Sequence, residues 1–393
     1  MTWAGVKGRS PARRRRAGRW AMAMGEGSRV AESGSGPSAG AGAGGRRPRL
    51  ADVAARAGVS SGLVSLVLRN QPGPGAAARA RVLDAARDLG YRPDRTASLL
   101  ARRRSRHLGV MMNVQNSFHA ELVADIDAAA TALGYDLVLS TVSPARAERS
   151  AVEVLLDFRC EALVLLGPEE PAGALNALAR EVPLVVIGRR IPPGPPGPAG
   201  PAGPASLADV VRAADDQGIA QAVSHLVALG HREIAFVDGG RGAIAADRRR
   251  GYRTAMRRHD LAGRMRIIPG DHTEEAGIRA AATLGAADPP PTAVITSNDR
   301  CAVGLLDAFA RRGVPVPGSR SVVGYDDSML ARLAHVDLTS VSQDAGGQAE
   351  QAVALAVERL ETGRTARREV VLTPRLVVRS TTAAPPGEPE DRR

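Results

Sequence analysis

The chain of 393 residues almost lacks lysine: Lys7 stands alone, and arginine supplies the rest of the 53 basic side chains. So lopsided a choice reads as the imprint of a GC-rich coding sequence rather than a design for binding phosphate. Cysteine is scarce too. Cys160 and Cys301 lie far apart, which excludes a disulfide framework or zinc-ligand spacing. Each reads as a small core residue, as expected of a cytoplasmic protein. Long apolar runs are missing. The cluster Trp20 to Met24 is far too short for a secretory core or a bilayer span, so no membrane partner is expected. His107, His119, His225, His231, His259, His272 and His335 fall without metal-ligand spacing. No glycine-rich phosphate loop follows a strand and opens a helix, and no Ser-His-Asp set stands out. The expectation is a non-enzyme with no cofactor and no metal. The glycine-rich stretch Asp238 to Gly242 reads as a loop leading to Arg248.

What is present is charge, and it is unevenly placed. The net charge is +12, yet residues 1–48 carry ten Lys/Arg against two Glu, and residues 49–107 carry twelve Arg against four Asp. The remainder is therefore slightly acidic. Excess positive charge confined to the front is the electrostatic footprint of a nucleic-acid-binding head on a neutral-to-acidic body. Residues 1–48 have too few large apolar side chains to fold and are expected to be disordered. Two readings of this leader stay open: Arg13 to Arg16 add non-specific DNA affinity, or the segment is an upstream extension, with Met22 or Met24 as the start.

Residues 49–93 spell a helix-turn-helix. Leu50, Val53, Ala54 and Ala57 recur at helical spacing on one face, and Gly58-Val59-Ser60 supplies a turn tight enough for the next helix to cross the first. Ser60 is a good N-cap, so the backbone N–H groups and early side chains from Ser61 through Gly62 to Val64 face outward, where phosphates and base edges lie. The side chains of Val64, Val67 and Leu68 point inward. After a turn at Gln71 to Gly75, a third helix from Ala76 to Leu89 carries Val82, Ala85, Ala86 and Leu89 on one face, and Gly90 closes it.

The order Asp52-Val53-Ala54, Ala57-Gly58-Val59-Ser60, Val64-Ser65, Val67-Leu68, Arg81-Val82, Leu89-Gly90-Tyr91-Arg92-Pro93 and Ala97-Ser98-Leu99-Leu100 resembles the head of the lactose/galactose repressor (LacI/GalR) family of bacterial transcription regulators. The resemblance implies a hinge helix within residues 94–106 that lies in the minor groove, with Leu100 wedged between base pairs and Ala97 on the same face. It assigns DNA contacts to Ser60, Ser61, Gly62, Ser65, Arg69, Arg95, Ala97 and Leu100. Arg102, Arg103, Arg104 and Arg106 would follow phosphates. The chain departs from the family at Leu63, where Thr is usual, and at Asp94, where Asn is usual; both change how the DNA backbone is gripped.

From 107 to 380 short apolar runs alternate with helical stretches. Strands are expected at 108–112, 136–139, 162–166 and 184–187, and again at 234–237, 266–268, 293–296 and 321–324, with helices between them. The fold class is therefore an N-terminal all-α helix-turn-helix head plus an α/β body of two doubly wound lobes, the second beginning after residue 210. The Pro/Gly-rich stretch 191–205 reads as a stiff extended insertion beside the cleft, and residues 381–393 as a disordered tail. Small ligands bind open α/β sheets at the carboxyl ends of strands, so the cleft between lobes is the expected site.

The body is similar to the sugar- and purine-sensing core of the same family, which is of the type I periplasmic-binding-protein kind. The markers are Asn116-Ser117-Phe118, Leu229 to Phe236, Arg248 with Gly251-Tyr252, Ser297-Asn298-Asp299, Val323 to Asp327 and Leu338 to Val341 with Gln343-Asp344. The resemblance places an effector-binding arginine at Arg248, at a helix start, where its planar fork suits a carboxylate or a pair of hydroxyls. It gives Asn298 and Asp326 to sugar hydroxyls, and Phe118 and His272 to an aromatic face. Local roles stand beside these: an ion pair for Arg248, a helix N-cap for Asn298, a turn for Asp326, core packing for Phe118. Gly188, where many relatives have aspartate, is followed by Arg189 and Arg190, which tilts the cleft toward an anionic or less hydroxyl-rich effector. The implied protein is a homodimeric regulator on a pseudo-palindromic double-stranded DNA operator, controlled by a carbohydrate-like small molecule. An effector-independent DNA-binding protein and a solute-binding protein are the alternatives.

Overall fold

A computed structural model describes residues 48–68, 71–91, 104–192 and 207–386. The leader before residue 48, the expected contacts Arg69, Arg95, Ala97 and Leu100, the insertion from 193 to 206 and the tail from 387 lie outside the described residues. The chain divides into two compact units, residues 1–94 and 95–393.

In the first unit α1 (Leu50–Ala57), α2 (Ser61–Leu68) and α3 (Ala76–Asp88) enclose a small core. Val53, Val64 and Val82, one from each helix, are fully buried and share it with Ala54, Ala57, Val67, Ala85 and Ala86. Val64 is thus wholly a core residue, and only its backbone belongs to the outward face. Gly58 ends α1 in the left-handed conformation at φ +66°, which a side chain would strain. Ser60 Oγ accepts from the Leu63 amide at 3.2 Å, as an N-cap does. The α1–α3 packing is tied at the surface by Arg56 and Asp88, 3.2 Å apart.

The second unit carries two six-stranded sheets. Its first half runs β1 (His107–Asn113), α4 (Ser117–Ala132), β2 (Asp136–Val142), α5 (Glu148–Asp157), β3 (Ala162–Leu166), α6 (Ala172–Glu181), β4 (Leu184–Ile187) and β5 (Asp209–Ala213). The chain continues as α7 (Asp215–Ala228), β6 (Ile234–Val237), α8 (Ala243–Arg258), β7 (Arg266–Ile268), α9 (Glu274–Gly285), β8 (Ala293–Thr296), α10 (Asp299–Arg311) and β9 (Ser321–Asp326). It finishes with β10 (Thr339–Ser342), α11 (Ala345–Thr362), β11 (Glu369–Leu372) and β12 (Arg375–Val377). The first sheet is ordered β11-β5-β4-β3-β1-β2 and all parallel; the second is β12-β10-β9-β8-β6-β7, with only β12 antiparallel. Central strands such as Ala162–Leu166 are buried along their whole length, which is why they read as unbroken apolar runs.

The expected alternation is present, and the lobes are each richer than expected. The first sheet runs on to Ala213, because Val185 to Ile187 of β4 pair with Asp209 to Val211 of β5, and the second lobe begins beyond it with α7. The chain then crosses between lobes three times, at 213–215, 342–345 and 372–375. After the second crossing, α11 packs Ala349, Ala352, Val353 and Ala356 against Leu122, Ile126 and Val164 of the first lobe. The tail begins later than expected. Thr381 is buried, its hydroxyl donating to the Val322 carbonyl at 2.7 Å, and Ala383 O accepts from the Ser321 hydroxyl at 3.0 Å. These backbone groups find partners beside β9, so the segment through 383 belongs to the body. Ile191 is likewise core rather than insertion.

Two glycines set the closest helix contact. A Cβ on Gly277 of α9 would lie 2.0 Å from the Cys301 carbonyl, and one on Gly304 of α10 would lie 2.0 Å from that of Glu274. Cys301 and Cys160 are both buried, and burial pushes their thiols up to about 12 and about 11, as befits inert core residues. No single helix among the described residues is long and apolar enough to cross a membrane.

Candidate functional site

The carboxyl ends of both sheets face a cavity of about 750 Å³. Phe118, Arg248, His272, Asn298 and Asp326 all line it, brought together from α4 on one side and from α8, the β7–α9 loop, the β8–α10 loop and the end of β9 on the other. Helix α8 starts at Ala243, so Arg248 stands in its second turn rather than at the helix start.

Arg248 is the centre of the floor. Its guanidinium is buried, lies 3.7 Å from the Tyr325 ring centroid, donates through Nε to Asp215 at 2.9 Å and through Nη1 to the Ser297 carbonyl. Nη2 is 3.7 Å from Asp326 Oδ1, too long for a hydrogen bond. Most of the fork is thus committed to protein, and the ion-pair role and the cavity role coexist. Asp326 sits at φ +115°, with Oδ1 accepting from Gln343 Nε2 at 2.6 Å. Burial pushes its carboxyl well above the usual carboxylate range, with the Arg248 charge opposing. Burial likewise raises the Asp215 carboxyl against the pull of Arg248.

Asn298 caps α10, its side-chain oxygen accepting from the Cys301 amide at 3.0 Å while Nδ2 donates to the His272 carbonyl at 3.2 Å. One amide proton remains for the cavity. The His272 ring is pushed down to about 4 by burial, with the Arg248 charge adding, and is neutral near pH 7. Phe118 is both core and wall: it belongs to the first-lobe cluster and reaches the cavity. Next to it stands His119, which sequence reasoning passed over. Its Nδ1 accepts from the Asn113 amide at 3.1 Å, so a neutral ring carries its proton on Nε2, at the cavity side near Gly167. Burial pushes this ring, too, down to about 4. Its place, three residues after the Asn116 N-cap of α4, was the available signal. Gln343, Asp215 and Tyr325 were also missed as site residues, because their partners come from distant parts of the chain.

At the mouth, Arg189 donates to the carbonyls of Pro168 and Glu170 at 2.7 and 3.1 Å, while Arg190 turns away to Asp247, 3.6 Å off. Across the cleft Arg332 pairs with Glu121 at 2.8 Å and Arg300 donates to the Gln115 carbonyl, so the two lobes touch near the start of α4. Among the described residues no three His, Cys, Asp or Glu side chains converge as metal ligands do. In the first unit Ser60, Ser61 and Gly62 are exposed at the amino end of α2 and Ser65 is partly buried one turn on.

Two family profiles match the chain: "Bacterial regulatory proteins, lacI family" over residues 49–94 and "Periplasmic binding protein-like domain" over residues 223–382. The HTH-type transcriptional regulator GalR of Escherichia coli is 30% identical over 339 residues, covering 85% of this chain and 95% of GalR. The crystal structure of a LacI transcriptional regulator from a Rhodococcus species is 45% identical with a TM-score of 0.65, covering 71% of this chain and 98% of that one. The Lac repressor dimer bound to operator and the anti-inducer ONPF is 28% identical with a TM-score of 0.71, covering 86% of this chain and 100% of that one.

Proposed function

The chain belongs to the LacI family of bacterial regulatory proteins and is a DNA-binding transcription regulator, and from that premise we propose that it is a cytoplasmic, homodimeric repressor released or recruited by a small polyhydroxylated effector. The observation that carries the proposal is the single cavity lined by Phe118, Arg248, His272, Asn298 and Asp326. Donors and acceptors that converge in one cleft beside the Phe118 ring suit a sugar or a related metabolite. Asp326 and the Asn298 amide would take hydroxyls, Arg248 Nη2 would hold an oxygen, and the Phe118 ring would face an apolar edge.

On the DNA side, Ser60, Ser61, Gly62 and Ser65 would meet the major groove, Arg69 and Arg95 the phosphates, and Ala97 with Leu100 the minor groove. One small head reads few base pairs, so two heads on a pseudo-palindromic operator supply affinity and specificity. Calorimetry against neutral sugars, phosphorylated sugars and nucleobases tests the effector: binding of a neutral sugar that is lost in Asp326→Ala is expected, and no binding by any member would favour an effector-independent regulator. Footprinting on the DNA upstream of the coding sequence tests the wedge. Leu100→Ala is expected to lose protection, and equal protection by both proteins would sink the assignment.

A further inference from the structure

Effector control, as read above, needs a mechanical path from the cavity to the place where the linker enters the body. We infer that α11 is a lever for this, with Gln343 and Gln348 as positioning residues at its cavity end and Glu361 at its linker end. Eighteen residues of helix span about 27 Å, enough to join the two places with one rigid element.

At the cavity end the chain has just crossed from the second lobe. Gln343 donates to Asp326 at 2.6 Å, and the buried Gln348 amide donates back to the Gln343 carbonyl at 2.8 Å. Gln348 Oε1 is buried with no partner, so this corner is under-satisfied and gains from any donor that enters the cavity. A ligand that takes the Asp326 oxygen competes with Gln343 and loosens a polar tie between the start of α11 and the second-lobe site. At the other end, Glu361 accepts from the Tyr135 hydroxyl at 2.7 Å, from Arg104 Nη1 at 3.1 Å and from Arg106 Nη2 at 3.3 Å. Arg104 also reaches Glu161 at 2.8 Å, and Glu161 accepts the Arg106 amide at 2.8 Å. These are the described residues at the carboxyl end of the 94–106 linker, so the helix that feels the cavity also holds the linker's root. Between the ends, α11 rests on the first lobe through Ala345, Ala349, Ala352 and Ala356, one turn apart along a single stripe. Small side chains leave shallow ridges, which lets a packed helix slide or tilt without repacking its neighbours.

Hydrogen exchange on the full-length protein tests the lever without DNA or effector. In Gln343→Ala the Arg106 and Asp136 amides, at the far end, are expected to exchange at least about fivefold faster, the scale of a modest coupling between sites. Second-lobe amides at Ile295 and Val323 should not change. Unchanged exchange at Arg106 would overturn the proposal. Should Gln343→Ala fail to fold, Gln348→Leu removes the next link, the donation to the Gln343 carbonyl, at similar volume and carries the same expectation. On the upstream DNA duplex, the effects of Gln343→Ala and Glu361→Gln on affinity should depart from a simple product by about fivefold or more. A simple product overturns the lever. If the wild type protects no DNA, the regulator reading fails and the exchange measurement alone decides the lever.

Discussion

At the residue scale the cavity floor works by burying charge that is almost fully satisfied. Arg248 and Asp215 are both at or below 5% exposure, so removing one partner strands the other away from water. Arg248→Met should therefore cost about 3–5 kcal/mol in urea unfolding, and adding Asp215→Leu should recover a good part of it. The same burial governs His119. Its folded pKa of about 4 lies below the free value of 6.5, so the unfolded chain takes up a proton first as the pH falls. The wild type should lose up to about 3 kcal/mol relative to His119→Gln between pH 7 and about 4. Asp299 acts with the opposite sign, because burial holds its carboxyl at about 7 against hydrogen bonds from Ser340 and Ser328. Comparing variants, rather than following the whole-protein curve, isolates His119.

At the element scale, close approach and capping decide which helices can sit where. Helices α9 and α10 cross through Gly277 and Gly304, and a methyl on either would enter the partner's backbone. Gly304→Ala is expected to destabilise the second lobe by about 3 kcal/mol or more, since a backbone atom cannot yield as a side chain can; thermal unfolding would show it. In the head, Ser60→Ala removes the α2 N-cap and should cost about 1 kcal/mol, read as a lower melting temperature of the first unit. If Ser60 also meets phosphate, the loss in operator affinity will exceed what that destabilisation explains.

At the scale of the whole molecule, a basic front is attached to a slightly acidic body. Deleting residues 1–47 removes ten basic side chains and two acidic ones. If the leader adds non-specific affinity, binding to random-sequence DNA should weaken and its salt dependence flatten, while protection of the operator is retained. Sedimentation across a concentration range checks the homodimer, and a monomer at micromolar concentration that still protects a palindromic site would refute it.

Local chemistry alone made much of this legible. The helix-turn-helix, the eight strongest strands and the forward charge rest on periodicity, turn residues and net charge, each a property of neighbours in sequence. Asn298 and Asp326 were readable because each borders an element beside a recognisable motif, and Arg248 because Gly251-Tyr252 follows it as the family resemblance implies. Tertiary structure decided the rest. Strand β10, Thr339 to Ser342, is too polar to announce itself and becomes a strand only because β9 and β12 flank it. Whether α11 serves the first or the second lobe depends on which core its alanines enter. The commitment of the Arg248 fork to Asp215 and Ser297, and the neutral state of His119, follow from burial. Burial is a property of the packed chain, set by residues far away in sequence, and so only the fold could assign it.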